Sequence, residues 1–228
     1  MPQNIEETHW ERAAKTRMGK YLTKIEARFV QHCLDFTRLQ TIMDIGAEAG
    51  RFSQLNLNVQ TISIDIDKHS LKRLRNKIPS SHVIQADARH IPIRNETFDA
   101  ITMIEVLDYI PELQEVFQEA HRTLKTETSL IVSFGNKSSL KARLRQLSGR
   151  SYLHSYDKVI KALSETELTV KKKMGYNWLP FGRMSQSFLI SPLEKLEHIF
   201  GLRKIPSVSP WVLVHAVKPH NNFSRAEK

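Results

Sequence analysis

Four clusters of acids beside small residues could do chemistry in this 228-residue chain. The first is Asp44-Ile45-Gly46-Ala47-Glu48-Ala49-Gly50-Arg51. The second is Asp65, 19 residues after Gly46. The third is Asp87-Ala88, and the fourth is Glu105-Val106-Leu107-Asp108-Tyr109. A glycine turn followed by an acid about 20 residues later is the spacing of nucleoside recognition. Glycines let the backbone approach a ligand closely, and the acid accepts hydrogen bonds from ribose hydroxyls. An acid beside a small residue, as at Asp87-Ala88, can reach the exocyclic amine of an adenine. Asp44 and Asp65 are also residue types that simple strand-end turns use. Glu48 is either a ligand contact or a solvent-facing turn residue, and Glu105 and Asp108 either cap the following helix or take part in chemistry.

The elements that must position these clusters are legible in the pattern. Short apolar runs at 41–46, 61–66, 82–86, 98–104 and 129–134, several of them rich in β-branched residues, read as strands. Residues 70–75 and 111–124 between them read as helices, the second with Pro111 in its first turn. Strand and helix alternate about every 20 to 30 residues, which predicts a parallel sheet with helices on both faces. Each cluster then falls at the carboxyl end of a strand, where open α/β sheets bind ligands. Upstream, Met18, Tyr21, Leu22, Ile25, Phe29 and Val30 mark one face of an amphipathic helix within an N-terminal helical segment, 1–38. Downstream, the spacing predicts basic helix over 137–150, helix over 156–163 and a strand over 168–176. It further predicts a short helix over 193–200, a closing strand over 210–217 and a disordered tail, 219–228.

The loop chemistry narrows the ligand. A dinucleotide fingerprint needs glycines at 46, 48 and 51, but Glu48 and Arg51 stand there. Glu48 would put a carboxylate where a pyrophosphate must sit, and like charges repel. No Walker lysine motif is present. A sulfonium cation carrying adenosine and no phosphate, S-adenosylmethionine, suits a rim made by Asp44, Glu48, Asp65, Asp87 and Glu105.

The stretches MDIGAEAGRFS, SIDIDKHSLKRL, IQADARHIPIRNETFDAITMIEVLDYI and EVFQEAHRTLKTETSLIVSFGN resemble, in order and spacing, the successive motifs of class I S-adenosylmethionine-dependent methyltransferases. The resemblance covers about residues 40–136, and within the superfamily the chain is similar to the group that includes quinone-biosynthesis methylases. It implies a Rossmann-like, doubly wound, mostly parallel seven-stranded sheet with the last strand antiparallel. The cofactor core is then 39–136, and 137–218 is the C-terminal part of the same domain. It implies that Asp44, Gly46 and Gly50 line the methionine end, that Asp65 holds the ribose, and that Ile66 flanks the adenine; Ala47 and Glu48 of the same loop are further cofactor-binding candidates. Asp87 and Ala88 would meet the adenine amine and ring edge, and Ile104 and Glu105 would lie under the sulfonium.

Two departures from the family pattern carry consequences. Glu48 replaces the middle glycine of the first loop, and Tyr109 stands where many relatives have histidine. The metal-using pattern Glu-x-x-Glu-His reads here Glu105-Val106-Leu107-Asp108-Tyr109, so no metal is expected. By the same resemblance, an excursion between the last two strands, 177–207, borders the acceptor pocket. Tyr109, Trp178, Phe181 and Arg183 are its substrate candidates, with Arg183 suited to an acidic group. The alternative for Trp178 and Phe181 is a satellite core under a long loop. Glu105, Tyr109 and His154 are the candidate bases should the acceptor be a hydroxyl.

Charge bears on partners. Residues 1–136 hold 17 Lys+Arg and 18 Asp+Glu, whereas residues 137–228 hold 17 and 6. The basic excess therefore sits in the last two fifths, where it is either a solvated face or suited to an anionic acceptor, an anionic membrane surface or nucleic acid. No apolar run reaches the length of a membrane span. The polar start MPQNIEETHW and the single cysteine, Cys33, predict a reducing, cytoplasmic address. The leading expectation is methyl transfer to a small-molecule or lipid-like acceptor. An RNA methyltransferase is the second reading, favoured by the basic C-terminal part and disfavoured by the lack of an RNA-binding module. A non-catalytic binding module that kept the fold is the third, motivated by Glu48 and the missing histidine.

Overall fold

The computed structural model describes residues 6–53, 59–146 and 153–220. Two helices lead in, α1 (His9–Lys15) and α2 (Arg17–Cys33). The sheet strands are β1 (Thr41–Ile45), β2 (Gln60–Asp65), β3 (His82–Gln85), β4 (Phe98–Met103), β5 (Leu124–Gly135), β6 (Thr169–Tyr176) and β7 (Trp211–Val217). The remaining helices are α3 (Lys68–Lys77), α4 (Leu113–Thr123), α5 (Leu140–Gln146), α6 (Tyr156–Glu165) and α7 (Ile190–Ile199). The seven strands run in the order β3-β2-β1-β4-β5-β7-β6. All neighbouring pairs are parallel except β5–β7 and β6–β7. The Rossmann-like sheet implied by the resemblance is therefore present, with β7 as its antiparallel member.

Strand alternation assigns the two faces. Met43, Ile101, Leu130, Val132, Val212 and Val214 point into one apolar core with Val116 and Phe117 of α4 and Val159 and Leu163 of α6. Ile42, Ala100, Ile131 and Leu213 point into the other, with the apolar stripe of α2. β1 pairs with β2 on one side and β4 on the other, so the winding direction reverses at its carboxyl end. That reversal opens the crevice that holds the site.

Several boundaries differ from the expectation for physical reasons. β5 starts at Leu124 rather than Ser129, because the chain passes from α4 straight into a bulged strand. Glu127 takes up the irregularity with φ +62°. Pro111 sits ahead of α4, whose cap is Glu112, so it is not in the first turn. α7 begins at Ile190, three residues early, since Pro192 in the first turn needs no backbone donor. β6 is an edge strand, and its exposed Lys171, Lys172 and Lys173 discourage further pairing. Of the basic segment 137–150 the described helix is α5, and residues 147–150, like most of the tail, lie outside the described residues.

Candidate functional site

The loop after β1 is pinned to the end of β2. Gly46 and Ala47 both donate backbone hydrogen bonds to the Ile64 carbonyl, at 2.8 and 3.1 Å. The Glu48 amide donates to Asp65 Oδ2 at 2.9 Å, and the Asp67 amide donates to Asp65 Oδ1 at 2.9 Å. Gly46 and Gly50 adopt φ of +68° and +84°, and a methyl group on Gly46 would run into Val106. Glu48 takes φ +50°, a left-handed conformation glycine adopts more cheaply. The loop therefore keeps its turn with glutamate in the middle, and the Glu48 carboxylate accepts the hydroxyl of Thr8 at the start of α1.

Asp44 is buried beneath this loop. Its oxygens accept from Thr102 Oγ1 and Ser53 Oγ, each at 2.9 Å. Burial pushes its carboxyl up to about 6, and the two hydroxyls and nearby Arg51 offset only part of that. A buried carboxylate that is costly to ionise alone is well suited to a cation arriving beside it.

These residues line one cavity of about 530 Å³ at the carboxyl ends of β1, β2 and β4. All eleven predicted cofactor contacts reach it except Gly50, which is buried against Leu74. Ile66 stands at the rim with 68% of its surface exposed, beside Asp65. Asp87 reaches the cavity, but its carboxylate is engaged by its own neighbour. The Arg89 guanidinium donates to both oxygens at 2.6–3.2 Å and holds the acid down to about 2. Arg89 continues to Glu112 at 3.0 Å.

A chain of charges runs from α2 to the cavity at Glu105. Glu26, fully buried on α2, accepts from Tyr176 Oη at 2.8 Å and Arg51 Nη1 at 3.1 Å. Arg51 Nη2 pairs with Glu105 at 2.9 Å, and Glu105 pairs in turn with Arg183. Burial pushes the Arg183 guanidinium down to about 10, and its carbon lies 5.2 Å from the Trp10 ring centre. Glu105, at φ +64°, does not cap α4. Its amide donates to Ser133 Oγ at 2.8 Å. Asp108 does not cap it either, since its carboxylate accepts the Gly135 amide at 3.1 and 3.2 Å.

α1 forms the roof. Trp10 lines the cavity and meets Tyr109 edge to face, with ring centres 6.5 Å apart. Glu11 fixes α1 to α3 through Arg73, at 3.0 Å, and Lys77. Burial raises the Glu11 carboxyl, but those two cations outweigh it and hold it at about 2.

Three sequence candidates are placed elsewhere. His154 is buried outside the cavity, its Nε2 2.8 Å from the Ile110 carbonyl and 3.1 Å from that of Leu107. Burial lowers its pKa, so it is a neutral support for the turn that carries Tyr109 and not a base within reach. Trp178 and Phe181 are not among the cavity residues, and Phe181 packs on the α2-side core. The cause is a left-handed turn at Asn177, φ +65°, clamped by the Lys141 ammonium on the carbonyls of Asn177 and Leu179. The aromatic wall is Trp10 and Tyr109 instead. Burial and Asp108 raise the Tyr109 phenol, a hydrogen bond from Trp10 offsetting only part, which makes it a donor rather than a base at neutral pH.

Residues 43–132 match the family described as "Methyltransferase domain". Over that stretch, which holds Asp44, Asp65, Asp87 and Glu105, the chain is similar to class I S-adenosylmethionine-dependent methyltransferases. An uncharacterized protein of Methanocaldococcus jannaschii is 35% identical over 99 residues, 43% of this chain. The chain spans 42% of that relative's length. A ubiquinone biosynthesis O-methyltransferase of Glaesserella parasuis is 26% identical, over 61% of this chain and 69% of its own. Among solved structures, the N-methyltransferase NodS of Bradyrhizobium japonicum, in complex with S-adenosylhomocysteine, shares the fold. Its TM-score is 0.65 at 14% identity, over 92% of this chain and 91% of that one. The matched domain supplies the acidic rim, but Trp10, Glu11, Glu26 and Arg183 all lie outside it. Sequence reading passed over Trp10, Glu26 and Arg51. Glu26 had left a signal: it sits four residues from both Leu22 and Val30, on the buried side of α2.

Proposed function

We infer that this chain transfers a methyl group from S-adenosylmethionine to a small-molecule or lipid-like acceptor. The observation that carries the reading is the pairing of Asp65 with Ile66 at the cavity rim. A carboxylate held by two backbone amides keeps acceptor capacity for two ribose hydroxyls. Beside it, a bare apolar side chain offers a face for a purine ring. Asp44 and Glu105 would supply negative charge for the ammonium and sulfonium. When bound, the cofactor supplies an activated methyl group with a good leaving group. The protein's part is to hold the acceptor close and collinear, which can be worth about 7–11 kcal/mol.

In this reading 39–136 holds the cofactor, while α1, the turn at Tyr109 and Arg183 of the 177–207 excursion frame the acceptor. Arg183 is balanced by Glu105, so an acidic acceptor group would compete for its guanidinium. The relative named for ubiquinone biosynthesis supports an aromatic or lipid-like acceptor, and the Trp10–Tyr109 wall suits one. No described helix is long and apolar enough to cross a membrane. A cytoplasmic address remains part of the proposal. Glu48 keeps the loop's left-handed turn, which argues against a fold that has lost its ligand.

The test is titration calorimetry of the full chain with S-adenosylhomocysteine, followed by mass spectrometry of extracts incubated with protein and cofactor. Saturable binding and a product heavier by one methyl group are expected. Absence of heat and of any thermal shift would overturn the reading.

A further inference from the structure

The face of α7 turned away from the body of the protein is apolar. Ile190, Glu194 and Glu197 face inward, with Glu194 paired to Lys24 at 3.5 Å and Glu197 bonded to Tyr21 and Arg203. Leu189, Leu196, Ile199 and Phe200 recur at helical spacing on one side and are exposed, with Ile199 73% and Phe200 71% bare. Phe188, 74% bare, extends the stripe at its start. Both acids of this helix are thus turned inward, and Lys195 and His198 remain on its outer surface.

The neighbouring helix supplies charge of one sign. α2 runs alongside α7, and its exposed positions Arg17, Lys20, Lys24 and Arg28 fall at spacings of three and four, on one ridge. Its single acid, Glu26, is buried on the other side. Lys204, just beyond α7, is also exposed. An apolar stripe bordered by a cationic ridge is the surface chemistry of an interfacial helix. Aromatic and branched side chains enter the acyl boundary, and lysine and arginine meet anionic headgroups.

We propose that α7 and the cationic ridge of α2 form a docking surface for an anionic lipid bilayer. A second copy of the chain is the competing occupant of the stripe, but it would leave the cationic ridge without the anionic partner that headgroups supply. The surface also connects to the cavity: Arg183, a cavity residue, precedes Phe188 by five positions. The Ser185 carbonyl and Gln186 side chain accept the Met18 and Arg17 amides at 3.1 and 3.0 Å. A lipid-soluble molecule entering from the bilayer would meet the excursion at the cavity mouth. The proposal stands on the surface alone and does not require methyl transfer.

The experiment is flotation of the full chain, without cofactor, with two kinds of vesicle. One is phosphatidylcholine, and the other contains about a third phosphatidylglycerol. Partition at least about tenfold higher onto the anionic vesicles, weakened by salt, is expected. The double change Ile199→Ser and Phe200→Ser, at bare positions, lowers it about tenfold. The charge variant Lys20→Gln with Lys195→Gln lowers it similarly, on anionic vesicles alone. Three results overturn the proposal. They are no partition at low salt, unchanged partition of the double variant, or a wild-type dimer in sedimentation that the double variant dissolves.

Discussion

The strand-end rim and the excursion between β6 and β7 both border the cavity, but they are held in different ways. At the rim the bonds are short in range and mostly backbone: the Gly46 and Ala47 amides donate to the Ile64 carbonyl, and the Glu48 amide donates to the Asp65 carboxylate. In the excursion side chains reach across the sequence. Thr16 donates to the Arg183 carbonyl at 2.6 Å across 167 positions, and Tyr21 bonds Glu197 across 176. The ion pair of Arg183 with Glu105, and through it Arg51 and Glu26, completes the attachment. A rim held mostly by backbone should lose more ligand affinity than stability when a side chain is cut. A charge-held excursion should do the reverse.

The largest effect should come from Glu26→Ala. It would leave Arg51 buried against one carboxylate and Tyr176 Oη without its acceptor. Removing one partner of a buried pair costs about 3–5 kcal/mol, read as a lower urea midpoint. A loss below about 1 kcal/mol would mean that apolar packing, not the charge chain, fixes the excursion. Asp65→Ala should behave oppositely. Its folding stability should fall by only about 1 kcal/mol, because water can replace the carboxylate at the Glu48 and Asp67 amides, while S-adenosylhomocysteine affinity falls by about 2–3 kcal/mol, the worth of hydrogen bonds to a charged group. Equal affinity would remove the rim from the cofactor site.

Asp44 sharpens the contrast through pH. Burial pushes its carboxyl up to about 6 in the folded protein, above the 3.8 of an ordinary aspartate. Between those pH values the native state holds more protons than the unfolded chain, so the Asp44 contribution to stability declines as pH rises through that window. Binding of a cation wants the ionised form. Cofactor affinity should therefore rise with pH from 5 to 7, by up to about tenfold per unit below the pKa, as this part of the stability falls. Calorimetry and urea titration on the same samples should show slopes of opposite sign, and Asp44→Asn should flatten both.

The same division explains what the sequence disclosed. The strand ends and the acid set were legible because glycine turns and strand-end acids are local, and their identity is dictated by backbone shape. Asp87 was found at the rim, yet its pairing with Arg89 was missed, since both side chains could have pointed elsewhere. Trp178 and Phe181 stayed open between acceptor wall and satellite core because their position depends on Lys141, more than thirty residues away, clamping a left-handed turn. Trp10 carried no motif. It reaches the cavity because Glu11 bonds to α3 and Thr8 to the first loop, pairings no periodicity encodes.

Glu48 is where the two modes of attachment meet, and it gives the smallest and most discriminating test. Its backbone belongs to the rim and its side chain tethers α1. Glu48→Gly should relieve a left-handed glutamate and so return about 1 kcal/mol to the loop, while deleting the bond to Thr8 costs a similar amount. Global stability should hardly move. The consequence should be local: hydrogen exchange at residues 9–15 should quicken, because α1 is then held to the rim side by Glu11 alone, through Arg73 and Lys77. Adding Thr8→Ala to Glu48→Gly should quicken exchange further, since Thr8 Oγ1 also caps α1 by accepting the Glu11 amide at 3.1 Å. If exchange at α1 is unchanged in the single variant, the roof rests on Trp10 and Glu11. The replacement of glycine in the first loop then serves no tethering purpose.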